Sequence, residues 1–257
     1  MASFRVSSPP AKFQTPRGPA LPLWKRVIDL TFCCATLPIL AFATFFVAVL
    51  MSITSPGPVF FRQERVGYMG RRFRLYKFRT MHVGADTSNH RAYFTGLMNS
   101  KVPMQKLDAR GDSRLIPLGW LIRASGLDEL PQIFNVLRGD MSLIGPRPCI
   151  PYEYENYTVA QRARFHSRPG LTGLWQVSGK NRTTFDRMIQ LDIQYATQRS
   201  LKLDVKILLL TLPSVLSQVV EMCRIRWGAA PRPDIGPATN GGKEIEIEKD
   251  VSSIRVS

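Results

Sequence analysis

The sequence predicts an α+β protein that is mostly helical, with a re-entrant membrane helix near the N-terminus and a small β-hairpin. The apolar stretch from Val27 to Ile53 is long enough to cross a bilayer as a helix of about 20 residues or more. Two aromatic-rich strand candidates follow within residues 58–81, with Gly67 and Gly70 in their connection. Further helical patterns occupy residues 115–124, 130–138, 152–166 and 184–199.

Composition favours one domain with anionic partners. The chain has 257 residues, and 35 Lys and Arg against 19 Asp and Glu give a net charge of +16. Such a charge points to nucleic acid, anionic lipid or phosphorylated substrates. Because the basic residues interleave with a membrane segment, we expect no nucleic-acid partner. We assign 1–22 to a flexible basic leader, 23–227 to a membrane-associated domain with its membrane helix at 23–55, and 228–257 to a flexible tail.

The flanks of the membrane helix indicate that it returns to the side it entered. Lys25 and Arg26 precede it, and a run of arginines begins at Arg62 after it. Basic flanks mark the cytoplasmic side, and Pro38 can break the helix. These features favour a helix–break–helix, with Thr36 as a candidate partner for freed backbone groups. An ordinary single span with a proline kink remains the alternative.

Asp29 lies near the start of this helix, where a charge needs compensation. Arg26 stands three residues earlier, on the same helical face. We therefore expect an Arg26–Asp29 ion pair at the membrane interface.

A second apolar stretch, Ile207 to Val220, contains no charged residue. It is too short to span a bilayer by itself. Basic residues at its ends suit a position in the headgroup plane, and a buried core helix fits equally well.

The residues with the clearest chemical meaning are Asp128 and Glu129, which stand just ahead of Pro131. Proline favours the first turn of a helix, so the two carboxylates are expected at a helix N-terminus, where the dipole stabilises negative charge. There Asp128 could act as a nucleophile or a metal ligand. The alternative is a pair of capping acids on an exposed helix.

Basic and glycine-rich segments favour the chemical interpretation. Arg147 is held between Pro146 and Pro148, and a guanidinium with little freedom to lose suits a diphosphate. A Gly-rich segment at 168–182 could approach a base or sugar closely. The sequence has no dinucleotide or P-loop fingerprint, and no Cys/His spacing typical of zinc.

These residues together resemble the monotopic phosphoglycosyl transferases, the bacterial sugar transferases that begin surface-glycan assembly. The resemblance covers most of the chain, from about Lys25 to Leu212, and its short first segment is similar to the exopolysaccharide-type members. The matching blocks are Lys25-Arg26-x-x-Asp29, Thr54 to Phe61, Tyr76 to Met81, Leu127 to Gln132, Asn135 to Ser142, Gly145 to Pro148 and Arg168 to Gln176.

The resemblance implies a two-step mechanism. Asp128 would attack the β-phosphate of a UDP-sugar and release UMP, and a polyprenyl phosphate would then take the phosphosugar from the aspartate. Glu129 would be the neighbouring acid, and Mg²⁺ near Asp128 would neutralise the diphosphate. By the same matching, Lys77, Arg123, Arg147 and Lys180 would bind phosphates, and Pro38 would mark the membrane break.

The resemblance also implies the partners: a UDP-sugar, polyprenyl (undecaprenyl) phosphate and a phospholipid membrane, with a homo-oligomer left open. It places the protein at the bacterial inner membrane, with the site facing the cytoplasm. Two departures stand out. Leu37 replaces the serine that many members have before the proline, and Lys180 replaces an arginine, so Arg182 could take that role.

A different class of function also explains the charge and the apolar segment. A membrane-anchored basic protein could bind anionic lipid or partner proteins without catalysis. It does not need the Asp128–Glu129 pair or the Pro-Arg-Pro turn, and assays of UMP release separate the two hypotheses.

Overall fold

The computed structural model describes residues 21–85, 96–98, 104, 113–179 and 183–227. Apart from residues 21 and 22, the expected leader and tail lie outside these ranges.

The described chain is mostly helical and carries two small sheets. The α-helices are α1 (Leu23–Thr54), α2 (Gly119–Ala124), α3 (Ile133–Arg138), α4 (Pro151–Asn156), α5 (Leu174–Val177), α6 (Phe185–Gln198) and α7 (Leu201–Arg226). The strands are β1 (Phe60–Val66), β2 (Arg72–Phe78), β3 (Ser142–Ile144) and β4 (Gly170–Thr172), and 3₁₀ helices cover Tyr68–Gly70, Leu127–Gln132 and Gln161–His166.

The predicted hairpin is confirmed. β1 and β2 pair antiparallel, with Phe61 opposite Lys77 and Val66 opposite Arg72. Leu75 and Phe78 of β2 are buried, each in a different cluster of apolar residues that includes residues of α1. The hairpin is therefore a platform that fixes the direction of Lys77.

Helix α1 packs along one face for its whole length. Its buried residues recur at steps of four or seven, which places them on one stripe: Lys25, Asp29, Cys33, Leu40, Val47 and Met51. The opposite face exposes a row of large apolar side chains, among them Ile39, Phe42, Phe45, Phe46 and Ile53. A 32-residue helix is about 48 Å long. Because its buried residues extend from Lys25 to Met51, the rest of the folded protein contacts α1 along nearly all of this length.

Pro38 lies inside α1, which is helical without interruption from Leu23 to Thr54. The predicted break of the helix at this residue is therefore corrected to a proline within a continuous helix. Proline removes only one backbone hydrogen bond, and the buried contacts of Cys33 and Leu40 hold the helix on both sides of it. The Thr36 hydroxyl donates to the carbonyls of Phe32 and Cys33 (2.8 and 3.1 Å).

Both ends of α1 are attached to the same folded body. At the start, Lys25 donates to Asp204 of α7 (2.6 Å) and to the Tyr195 hydroxyl (2.9 Å). At the end, Arg79 donates to the side chain of Ser55 (2.9 Å) and to its carbonyl oxygen (2.5 Å). The chain thus returns to its starting domain directly after the apolar helix.

Helix α7 extends well beyond the apolar stretch recognised in the sequence. It has 26 residues, and within the apolar stretch 207–220 only Ile207 is buried, whereas Leu209, Leu212, Leu216 and Val220 are among the exposed side chains. The alternative of a buried core helix is therefore wrong. Both α1 and residues Leu201–Arg224 of α7 are long and apolar enough to cross a membrane. These two exposed apolar helices indicate a membrane protein.

The second sheet was not anticipated from the sequence. β3 and β4 pair parallel, and Ser142 lies opposite Gly170. The two strands join through very close backbone contacts, since a Cβ on Gly145 would meet the Arg168 carbonyl oxygen at 2.1 Å. This sheet holds the segment before Arg147 against the segment after Arg168.

Candidate active site

The two acidic residues singled out in the sequence stand in the first turn of the 3₁₀ helix Leu127–Gln132. Gly126 precedes them with φ +73°, a conformation that favours glycine. The Asp128 side chain is 12% exposed and that of Glu129 is 40% exposed. Asp128 is therefore the acid that is shielded from water, and Glu129 stands at the rim.

Lys77 of β2 faces both carboxylates. Its Nζ lies 2.9 Å from Glu129 Oε1 and 3.7 Å from Asp128 Oδ2. An ammonium at this position offsets the negative charge of the two adjacent carboxylates. The structure thus brings together three of the predicted site residues.

Asn135 sets the distance between the hairpin and the 3₁₀ helix Leu127–Gln132 (the acidic helix), which carries Asp128 and Glu129. This fully buried side chain donates to the Arg74 carbonyl (2.7 Å) and accepts from the Tyr76 amide (3.1 Å). It therefore pairs with the outer edge of β2 as a neighbouring strand would. Because Asn135 follows Asp128 by two helical turns, this contact places Lys77 opposite the acids.

The remaining predicted phosphate ligands lie on different elements. Arg123 is in the last turn of α2, three residues before Gly126, and is partly buried. Arg147 projects into solvent, while Pro146 and Pro148 on either side of it are buried. This agrees with the rigid turn expected from the sequence. Lys180 and Arg182 lie outside the described residues.

A buried arginine, Arg65, connects the Arg147 turn with the acidic helix. It donates to the Pro148 carbonyl (3.2 Å) and to Gln63 (2.7 Å). Burial, together with the charge of Arg147, lowers the pKa of Arg65 to about 10, and the charges of Glu153 and Glu129 oppose this shift. Arg147 and Glu129 therefore both act on the same buried guanidinium. This role was not predictable from the sequence, because Arg65 is one of many arginines in and near the hairpin.

Arg26 and Asp29 do not form the ion pair that was predicted between them, because each binds other groups. Arg26 donates to the carbonyls of Val136 and Leu137 at the end of α3, both at 2.7 Å. Asp29 accepts from the Ser142 hydroxyl (3.0 Å) and the Leu143 amide (2.9 Å). The expected pair is corrected accordingly, since carbonyls at a helix end attract a guanidinium strongly.

Among the described residues, no group of three or more His, Cys, Asp or Glu side chains could hold a metal ion by itself. The Asp128 and Glu129 carboxylates nevertheless suit Mg²⁺. This ion is commonly bound by one or two carboxylates together with substrate phosphates.

The model of the family described as bacterial sugar transferase matches residues 21–218. The chain belongs to the bacterial sugar transferase family. All the described site residues lie within the matched range, as do both ends of α1. Because the chain belongs to this family, it is an enzyme of the phosphotransferase class. The alternative of a non-catalytic membrane-anchored protein is rejected.

Several curated relatives of this bacterial sugar transferase are similar over about three quarters of the chain. Galactosyl transferase CpsE of Streptococcus agalactiae is 42% identical over 193 residues, which are 75% of this chain and 42% of that protein. A UDP-glucose:undecaprenyl-phosphate glucose-1-phosphate transferase of Caulobacter vibrioides is 38% identical over 214 residues, 79% and 74% of the two chains. The exopolysaccharide production protein ExoY of Rhizobium meliloti is 36% identical over 200 residues, 74% and 84% of the two chains. The chain thus spans less than half of the streptococcal protein.

Proposed function

We propose that this bacterial sugar transferase moves a sugar 1-phosphate from a UDP-sugar to undecaprenyl phosphate and releases UMP. The observation that carries the proposal is the shielded Asp128 beside Glu129, with Lys77 against both. The name of the Caulobacter relative, a UDP-glucose:undecaprenyl-phosphate glucose-1-phosphate transferase, supports the choice of substrates. The exopolysaccharide relatives support a place at the first membrane step of surface-glycan synthesis.

Asp128 is the proposed nucleophile. One carboxylate oxygen forms a bond to the β-phosphorus of the UDP-sugar, the bond from that phosphorus to the bridging oxygen breaks, and UMP leaves with the electron pair. An oxygen of undecaprenyl phosphate then attacks the same phosphorus. The aspartyl bond breaks, the Asp128 carboxylate is regenerated, and a lipid diphosphate sugar forms. Two displacements replace one transfer between a water-soluble donor and a membrane acceptor.

The cations around Asp128 have matching roles in this proposal. Lys77 orients the two acids and offsets their charge near the phosphates. Arg123 and Arg147 bind the donor diphosphate, for which the forked guanidinium is suited. Lys180 is assigned the same role from the sequence. Glu129 is positioned at the rim, where it could assist the acceptor.

Mg²⁺ is the proposed metal, held by Asp128 with help from Glu129. When bound, it would neutralise the negative charge of the donor diphosphate. The carboxylates at the start of the 3₁₀ helix are hard oxygen ligands, which suit this ion.

We further propose that α1 is re-entrant as a helix that is not interrupted at Pro38, with both ends on one side of the membrane, and that the active site faces the cytoplasm at the bacterial inner membrane. The attachment of both helix ends, through Lys25–Asp204 and Arg79–Ser55, supports a return to one side. The apolar face that α1 exposes supports immersion in the lipid. A membrane-embedded acceptor would then meet a soluble donor at the interface, and the basic flanks suit the cytoplasmic side.

The test measures UMP release by purified protein with radiolabelled UDP-glucose or UDP-galactose and undecaprenyl phosphate. We expect release with one of these donors, and a loss of at least about a thousandfold in Asp128→Asn. Asp186→Asn is the matched control, because this exposed acid lies in the first turn of α6. Full turnover by Asp128→Asn would refute the assignment of the nucleophile.

A further inference from the structure

A buried ion pair lies beneath the turn that carries Arg147. Arg164 of the 3₁₀ helix Gln161–His166 contacts Asp192 of α6 through Nη2 and Oδ2. The two residues are 1% and 0% exposed. Neither can touch a substrate, so any part they have in the reaction must pass through other residues.

The pair is in direct contact with the main chain of Arg147. Arg164 Nη2 donates to the Arg147 carbonyl oxygen (3.0 Å) while it also contacts Asp192. Burial raises the pKa of Asp192 to about 6; the charge of Arg164 opposes this shift, as do the backbone N–H and the charge of Arg147. The pair therefore contacts the main chain of Arg147 at its carbonyl oxygen.

A second arginine holds the next carbonyl of the same turn. Arg65 donates to the Pro148 carbonyl (3.2 Å), and the Val66 amide donates to that of Cys149 (2.8 Å). Three consecutive carbonyls are thus fixed, from Arg147 to Cys149. Arg65 and Arg147 also repel each other electrostatically, which favours an outward direction of the Arg147 guanidinium.

We propose that the Arg164–Asp192 pair is the positioning device of Arg147: it clamps the main chain of the Pro-Arg-Pro turn so that the guanidinium points towards the donor diphosphate. This inference rests on the proposed function. A buried ion pair seldom adds stability over apolar residues of the same size. Arg164 Nη2 donates to both Asp192 and the Arg147 carbonyl oxygen, and this gives the pair a geometric task that apolar residues could not perform.

The experiment is a double-mutant cycle between Arg164→Lys and Arg147→Ala, with UMP release from the radiolabelled donor as the readout. Lysine keeps the charge beside Asp192, but its shorter side chain has one nitrogen, whereas the guanidinium places Nη1 on the Tyr157 hydroxyl and Nη2 on Asp192 and the Arg147 carbonyl. We expect Arg164→Lys to lower kcat/KM about tenfold in the otherwise unsubstituted protein, the scale of one lost hydrogen bond to a charged donor. In the Arg147→Ala background the same change should cost less than about twofold, because the residue it positions is gone.

The matched control is Arg162→Lys, the same substitution on the same 3₁₀ helix. Arg162 stacks on the ring of Tyr154, 4.7 Å from its centre, and has no recorded contact with Arg147 in the described part of the chain. Its kcat/KM should stay within about twofold of the unsubstituted protein. Thermal unfolding of each variant shows whether it is folded, and Asp192→Asn replaces Arg164→Lys in the cycle if the latter does not fold.

Equal losses from Arg164→Lys in both backgrounds would overturn the inference, because they would show a general structural effect. So would the absence of any loss in the otherwise unsubstituted protein. An unsubstituted protein that releases no UMP would overturn the proposed function itself, and this inference with it.

Discussion

The attachment of α1 through a buried ion pair makes a quantitative prediction. Lys25 and Asp204 are each 2% exposed at the side chain and lie 2.6 Å apart. Replacement of Asp204 by leucine leaves the Lys25 ammonium buried without its counter-charge. Breaking a buried pair in this way costs about 3–5 kcal/mol of the free energy of unfolding. For a domain of this size that loss lowers Tm by about 6–20 °C.

The double variant Lys25→Met/Asp204→Leu separates the charge from the packing. Because both charges are then absent, its Tm should return to within about 4 °C of the unsubstituted protein. The assay is thermal unfolding in detergent micelles, followed by tryptophan fluorescence. The control is Glu64→Gln, since the Glu64–Arg72 pair is about half exposed, and exposed pairs contribute about 0–1 kcal/mol. A Tm for Asp204→Leu no lower than that of Glu64→Gln would refute the reasoning, as would a double variant less stable than both single variants.

Three further substitutions test the supports of the site. Asn135→Ala leaves two partly buried backbone groups of β2, the Arg74 carbonyl and the Tyr76 amide, without this partner, and we expect the free energy of unfolding to fall by about 1–3 kcal/mol in the same thermal assay. Gly145→Ala places a methyl group 2.1 Å from the Arg168 carbonyl oxygen, so we expect no folded protein by size-exclusion chromatography; a normal elution profile would contradict the close packing of β3 and β4. Arg79→Lys removes the fork that holds Ser55, and hydrogen–deuterium exchange of the Ser55 and Gly57 amides should be faster than in the unsubstituted protein; unchanged exchange would show that this contact does not hold the turn.

Features that depend on local patterns were predictable. The bounds of α1 follow from an apolar run with basic flanks, and the helix begins at Leu23, as expected. The end of α3 follows from Gly139, which adopts the left-handed conformation at the helix end (φ +80°). The solvent-facing Arg147 follows from the two prolines beside it, because their rings fix the backbone on both sides.

Features that depend on contacts distant in sequence were not predictable. Arg26 and Asp29 are close on one helix face, yet each bonds to a backbone segment more than 100 residues away. Nothing in a single sequence indicates which carbonyl an arginine will reach. The same is true of Arg164 and Asp192, whose burial depends on how two helices pack beneath the Arg147 turn.

The most direct test of the central claim is the location of the covalent intermediate. Purified protein is incubated with the UDP-sugar donor in the absence of undecaprenyl phosphate, trapped by acid, digested and examined by mass spectrometry. The proposal predicts a hexose-phosphate adduct on Asp128 and none on Asp128→Asn. An adduct on a different side chain, or turnover without any adduct, would contradict the claim that Asp128 is the nucleophile.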